Sequence, residues 1–215
     1  MIVSLGRRYV FVHIPKTGGT SFALALESRA MRDDIMIGDT PKALKRRRRL
    51  KGVQARGRLW KHSTLTDIDG LISLEVMDGL FAFTLVRNPW DRVVSYYYWL
   101  REQSFDHPAV TLAQQLDFTG FVMHPATKAS LQSYPARRYM CRADGREQCD
   151  AYIRIERFDE DVAPLVAHLN FELEMPHFNQ SGRRRDYRSY YTSESAAAIS
   201  ECCAEDIDRF GYAFD

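Results

Sequence analysis

The chain has 215 residues, 45% apolar and 27% charged, and a net charge of only +2. That length and balance suit one α/β domain with its own core and argue against a disordered or fibrous chain. No apolar run is long enough to span a bilayer, the start does not read as a secretory signal, and Cys141, Cys149, Cys202 and Cys203 lack Cys-x-x-Cys or zinc-ligand spacing, so free thiols and no metal are expected.

The first informative stretch runs from Val10 to Ser21. Its β-branched and aromatic start predicts a buried strand, which breaks at Pro15. Lys16, Thr17, Gly18, Gly19, Thr20 and Ser21 follow, and then a helical pattern from about Thr20 to Met31. Strand, glycine loop and helix in that order aim a helix N-terminus and several backbone N–H groups at one spot, a binding place for phosphate or a similar oxyanion. Gly18 and Gly19 admit close approach, Lys16 brings a cation, and Thr17, Thr20 and Ser21 bring hydroxyls. The nucleotidase P-loop, GxxxxGK[ST], does not match, because here the lysine precedes the glycines. A ligand-free glycine turn is the plain alternative.

Residues 42–61 hold ten Lys and Arg and no acid, so this segment is +10 and the remainder of the chain −8. Such polarity reads as a docking surface for an anionic partner or membrane face, or as a solvated helix and loop. Interleaved aromatics are missing, so no nucleic acid is expected. Residues 54–63 predict a weak strand that ends at His62, followed by a helix through Met77.

A second buried-strand pattern, Leu80 to Val86, leads into Arg87-Asn-Pro-Trp-Asp-Arg-Val-Val-Ser95. Pro89 suits a first helical turn, so Arg87 sits at a strand end, where ligands of open α/β sheets gather, and Ser95 two turns into the helix. Together, His13-Ile-Pro-Lys-Thr-Gly-Gly-Thr-Ser21 and this segment resemble the PAPS-dependent sulfotransferases, in their carbohydrate and membrane-type branch. Weaker likeness continues in Ile155–Phe158, His177–Ser181 and Asp206–Tyr212. The resemblance implies an α/β fold, P-loop-like, as one domain over 1–215 with a central, mainly parallel sheet flanked by helices. It implies that Lys16, Thr17, Gly18, Gly19, Thr20 and Ser21 hold the 5′-phosphosulfate of PAPS and that Arg87 and Ser95 hold the 3′-phosphate. His62 is implied as general base, a task imidazole suits near neutral pH. The basic run Arg183, Arg184 and Arg185 stands where related enzymes close a loop over the nucleotide. PAPS is then the donor and PAP the product, with a glycan, lipid or small-molecule acceptor. A kinase with a variant loop and a non-catalytic PAP-binding module are the alternatives. Animal members are usually anchored in the Golgi; with no anchor here, a soluble cytoplasmic protein of bacterial origin is expected.

The aromatics Trp90, Tyr96, Tyr97, Tyr98 and Trp99 read mainly as packing on the helix from Pro89. Leu112–Met123 predicts one helix, and 130–148, without a clear period, an acceptor-facing loop. Tyr152–Ile155 predicts a strand and Phe158–Leu169 a helix, with Pro164 in its first turns or at a kink, while Glu156 reads as structural. A last helix is predicted from the cap at Thr192 to about Arg209, stopped by Gly211, with a capping box left incomplete by Ser195.

Overall fold

The computed structural model describes residues 1–173, 184 and 186–215. Its first half is β1 (Ile2–Ser4), β2 (Tyr9–Val12), α1 (Gly19–Ser28), β3 (Ile35–Met36), α2 (Pro41–Arg46), α3 (Leu74–Asp78), β4 (Phe81–Val86) and α4 (Pro89–Arg101). There follow α5 (Pro108–Gln115), α6 (Phe118–Met123), α7 (Pro125–Ser133), α8 (Ala136–Tyr139), β5 (Ala151–Arg154), α9 (Phe158–Asp161), α10 (Ala163–Leu169), α11 (Ser193–Cys202) and α12 (Ala204–Phe210). The fold is mixed α/β, with a five-stranded sheet in the order β3-β1-β2-β4-β5. β2, β4 and β5 pair in parallel, and β1 runs antiparallel to both its neighbours, so four strands share one direction.

Two compact units divide the chain. The first comprises Met1–Val86 and 136–173 and holds the whole sheet. Its central strands are buried on both faces: β2 is apolar and buried at every position, as is β4 beyond Phe81 except for buried Thr84, the usual reading of a central parallel strand. Phe11, Phe22, Phe83, Leu85, Ile153 and Leu165 form the centre of its core. Thr84 spends its hydroxyl on Val12 O at 2.8 Å, satisfying the buried group across the pair that carries both strand ends. Away from the sheet, buried Arg142 bonds Asp78, Asp144 and Gln148 and fastens the 141–148 loop.

The second unit comprises Arg87–Pro135 and the described residues from 184 onward, and is helical. Asn88 caps α4 through Trp90 N–H at 3.1 Å, with Pro89 in the first turn. The aromatic run packs inward: Trp90 donates Nε1–H to Ala196 O at 2.9 Å, and Tyr97 donates its hydroxyl to Leu116 O at 2.8 Å. Val93, Val94, Phe121 and Ile199 complete that core.

Several expectations change. Residues 54–63 form no strand: Gly57 N–H pairs with Asp67 O at 3.0 Å and the Ser63 hydroxyl with Arg58 O at 2.9 Å, so local loop bonds replace a ladder. Instead of a helix through Met77, turns lead to the short α3, capped by Ser73. The 112–123 pattern divides, because the Asp117 carboxylate takes Gly120 N–H at 2.7 Å and starts α6 afresh. Residues 130–148 are partly helical, in α7 and α8. The 158–169 helix breaks at Val162, with Pro164 in the first turn of α10, and the last helix breaks at Cys203. Ser195 completes the capping box after all: its hydroxyl accepts Thr192 N–H at 3.0 Å and Thr192 Oγ1 accepts Ser195 N–H at 3.1 Å. Gly211 ends α12 at φ 66°, as expected.

Candidate active site

The glycine loop leaves the C-terminal end of β2, and because β2, β4 and β5 are parallel, Val12, Val86 and Arg154 finish at the same end of the sheet. The loop is built by unusual backbone. Lys16 adopts φ 65° without being glycine, and Gly18 caps α1 at φ 81°. A non-glycine residue in this region carries strain, of the kind that collects where a ligand must be met. The Thr17 hydroxyl donates to Ile14 O at 2.9 Å and is buried, so it braces the turn. The first helical bond is Phe22 N–H to Gly18 O at 3.2 Å, which leaves the earlier N–H groups at the open end of α1. Thr20 is exposed there, and Ser21 and Lys16 are half-buried.

Gly19 touches His13 so closely that a Cβ would lie 2.1 Å from the imidazole Cδ2. The glycine is therefore needed for packing: α1 starts directly against a buried ring. His13 in turn meets His62, ring centroids 4.6 Å apart at 68°. His62 Nδ1 donates its proton to His13 O at 2.8 Å, since a carbonyl can only accept. That bond selects the tautomer with Nδ1 protonated and leaves Nε2 of His62 as the basic nitrogen. Burial, opposed by that hydrogen bond, pulls the His62 pKa down to about 4, and burial followed by the repulsion of His62 holds His13 well below the ordinary histidine value. Both rings are neutral near pH 7. Trp60 sets its edge against His62 at 5.0 Å, with Arg58 over its face.

In the helical unit, Arg87 precedes the cap of α4. Its Nε and Nη2 donate to Asp91 Oδ2 at 2.8 and 2.5 Å, an i,i+4 pair with side chains 13% and 19% exposed. Ser95 follows Asp91 by one further turn and lies on the same helix face, half-buried. Arg184 is exposed; its N–H donates to Tyr190 Oη at 2.7 Å, and its guanidinium stands 6.0 Å from that ring. Arg183, Arg185 and the His177–Ser181 stretch lie outside the described residues.

The structure thus joins the glycine loop and His62 through His13, and Asp91 holds Arg87 on the helix face that Ser95 shares by its spacing. Neither connector was singled out in the sequence. The signal for His13 was its place in the loop motif; for Asp91 it was the i,i+4 spacing from Arg87.

The sequence pattern of the sulfotransferase family matches residues 1–213. The chain belongs to that family. The match runs through both compact units of this sulfotransferase. A comparison with curated protein sequences finds no match. Among solved structures, the crystal structure of mouse sulfotransferase SULT7A1 complexed with PAP is similar, at 15% identity, covering 94% of this chain and 84% of that one with a TM-score of 0.44.

Proposed function

We propose that this sulfotransferase moves a sulfuryl group from PAPS to an acceptor hydroxyl or amine, with PAP as product, and that 1–215 acts as one domain. The observation that carries the reading is the glycine loop of a sulfotransferase, opening a helix beside a histidine whose Nε2 is unprotonated and whose Nδ1 is held by His13, the residue that follows β2 at the start of the loop. In this reading Lys16 and the open N–H groups through Ser21, with the hydroxyls of Thr20 and Ser21, bind the phosphosulfate. They stabilise the charge that collects on the bridging oxygen as the sulfur–oxygen bond breaks. His62 Nε2 takes the acceptor's proton as the acceptor's oxygen or nitrogen bonds to sulfur. Arg87 and Ser95 bind the 3′-phosphate, where a pre-positioned guanidinium makes charge-assisted bonds. That contact selects PAPS over ATP, which has no 3′-phosphate. In the same reading Arg183, Arg184 and Arg185 contribute positive charge to the nucleotide.

The acceptor is read as a glycan, lipid or small molecule, and the cations of 42–61 favour an anionic partner, a glycan or a membrane surface. A cytoplasmic location is supported by the four cysteines, all free thiols, and among the described residues no helix is long and apolar enough to cross a membrane. The test is transfer from radiolabelled PAPS to a panel of acceptors, with Lys16→Ala and His62→Ala as controls. Label on an acceptor that both variants abolish supports the reading. Tight PAP binding without transfer would favour a binding module, and magnesium-dependent ATP turnover a kinase.

A further inference from the structure

The basic segment is not alone in its neighbourhood. After α1 ends, three guanidinium groups converge on backbone carbonyls: Arg7 donates to Arg29 O at 3.2 Å, Arg49 to Arg32 O at 2.6 Å and Arg46 to Asp34 O at 3.1 Å. Carbonyls orient these groups without cancelling their charge. Among the described residues, none of these three, nor Arg29, Arg32, Arg47 or Arg48, forms a salt bridge. Nearby acids among the described residues include exposed Asp33, exposed Glu172 next to the Phe171 ring that lies under Arg7 and Arg29, and fully buried Asp34, whose Oδ2 is taken by Met31 N–H at 2.7 Å. The sequence shows ten cations in 42–61; the fold adds arginines from the β1–β2 turn and from the end of α1.

Aliphatic side chains lie exposed in the same elements. Leu5 in the hairpin turn is 46% exposed, Met31 37% and Leu44 on α2 50%. Gly6 packs against the Met31 sulfur, which places Leu5 and Met31 side by side, and Leu44 precedes Arg47 and Arg48 by one turn. The hairpin turn enters β2 and the glycine loop leaves it, so this surface lies at the opposite end of that strand from the loop.

We infer that this surface docks the protein peripherally on an anionic phospholipid bilayer, with Arg7, Arg29, Arg32 and Arg46–Arg49 facing the headgroups and Leu5, Met31 and Leu44 entering the interface. Uncancelled cations mixed with exposed aliphatic side chains match the chemistry of that boundary. A soluble polyanion would match the charge but leave the aliphatic groups in water, and Phe171, an aromatic at this surface, is half-buried beneath the guanidinium groups of Arg7 and Arg29 and not open to stack on bases. A polymeric acceptor held here would sit at the far end of β2 from the glycine loop. The inference extends the reading of 42–61 as an anion-facing segment and does not depend on sulfuryl transfer.

The experiment is co-sedimentation of the full chain with vesicles of phosphatidylcholine alone and with phosphatidylserine added, at physiological and high salt, with PAP binding measured on the same samples. Binding should require phosphatidylserine and weaken with salt. Arg47→Glu with Arg48→Glu should weaken it by more than about twentyfold, given roughly fivefold for each cation lost near such a surface. Leu5→Ser with Leu44→Ser should weaken it severalfold, a loss that a purely electrostatic contact would not show. PAP affinity should stay unchanged in all four substitutions. Equal binding to both vesicles, capture by heparin or duplex DNA but not by vesicles, or unaltered vesicle binding by the variants would overturn the inference. Vesicle binding without PAP binding would leave it standing and refute the nucleotide assignment.

Discussion

In the proposed reading, the glycine loop and the Arg87 helix face recognise an anion by different means. The loop relies on backbone: two positive-φ residues, a helix end and a glycine pressed on a buried ring. The face on α4 relies on side chains: Arg87 pre-positioned by Asp91, with Ser95 a turn beyond. A backbone device offers fixed donors and tolerates no added carbon. A side-chain device offers a formal charge and depends on one or two residues. The nearby histidine extends the contrast, since His62 is oriented by a main-chain carbonyl and kept neutral by burial.

The largest expected effect is on the histidine. His62→Ala should lower kcat by about 10²–10⁴, the usual worth of a general base. With the His62 pKa at about 4, kcat/KM should stay flat through the ordinary histidine range and fall only as pH approaches 4, an acid limb that the variant lacks. The same depression has a stability sign. Between pH 6.5 and about 4 the unfolded chain binds a proton at this position that the folded chain refuses, so Tm should decline with acidification there and less so in the variant. A limb near 6.5, seen by kinetics or by NMR titration of the ring, would contradict the buried setting.

Lys16→Ala should lower kcat by about 10²–10³, by comparison with the loss of one oxyanion donor, with little change in Tm. Gly19→Ala should reveal the backbone device most sharply. Its methyl group would displace His13, costing about 1–3 kcal/mol in denaturant unfolding and lowering both donor affinity and rate. A variant with unaltered stability would show that the loop yields easily. Thr17→Val should be the mildest, costing about 0.5–1.5 kcal/mol through the lost bond to Ile14 O.

The contrast also explains what the sequence made legible. β2, β4, α1 and α4 are legible because the central parallel strands are apolar at almost every position and because Gly18 and Pro89 mark where the helices start, while β5 shows the alternation of a half-buried strand. β1 and the edge strand β3, at three and two residues, are too short to show a period. The failed strand at 54–63 was set by backbone bonds to Asp67 and Asp69, partners that its own pattern does not encode. In the site, the motif residues were visible, but the two connectors act through contacts. His13 works by a main-chain carbonyl and by the face it shows Gly19, and Asp91 by its hold on Arg87. The cationic surface was half legible, since its charge run is local while Arg7, Arg29 and Arg32 reach it only through the fold.

The central claim is that a side-chain clamp at Arg87 makes this a PAP-selective site, and calorimetric titration of PAP and ATP into wild type and Arg87→Ala tests it most directly. The account predicts clear PAP binding, little ATP binding and a loss of roughly tenfold to a hundredfold in PAP affinity with Arg87→Ala, as for a hydrogen bond to a charged group. ATP binding without PAP binding, or a PAP affinity that Arg87→Ala leaves unchanged, would contradict it.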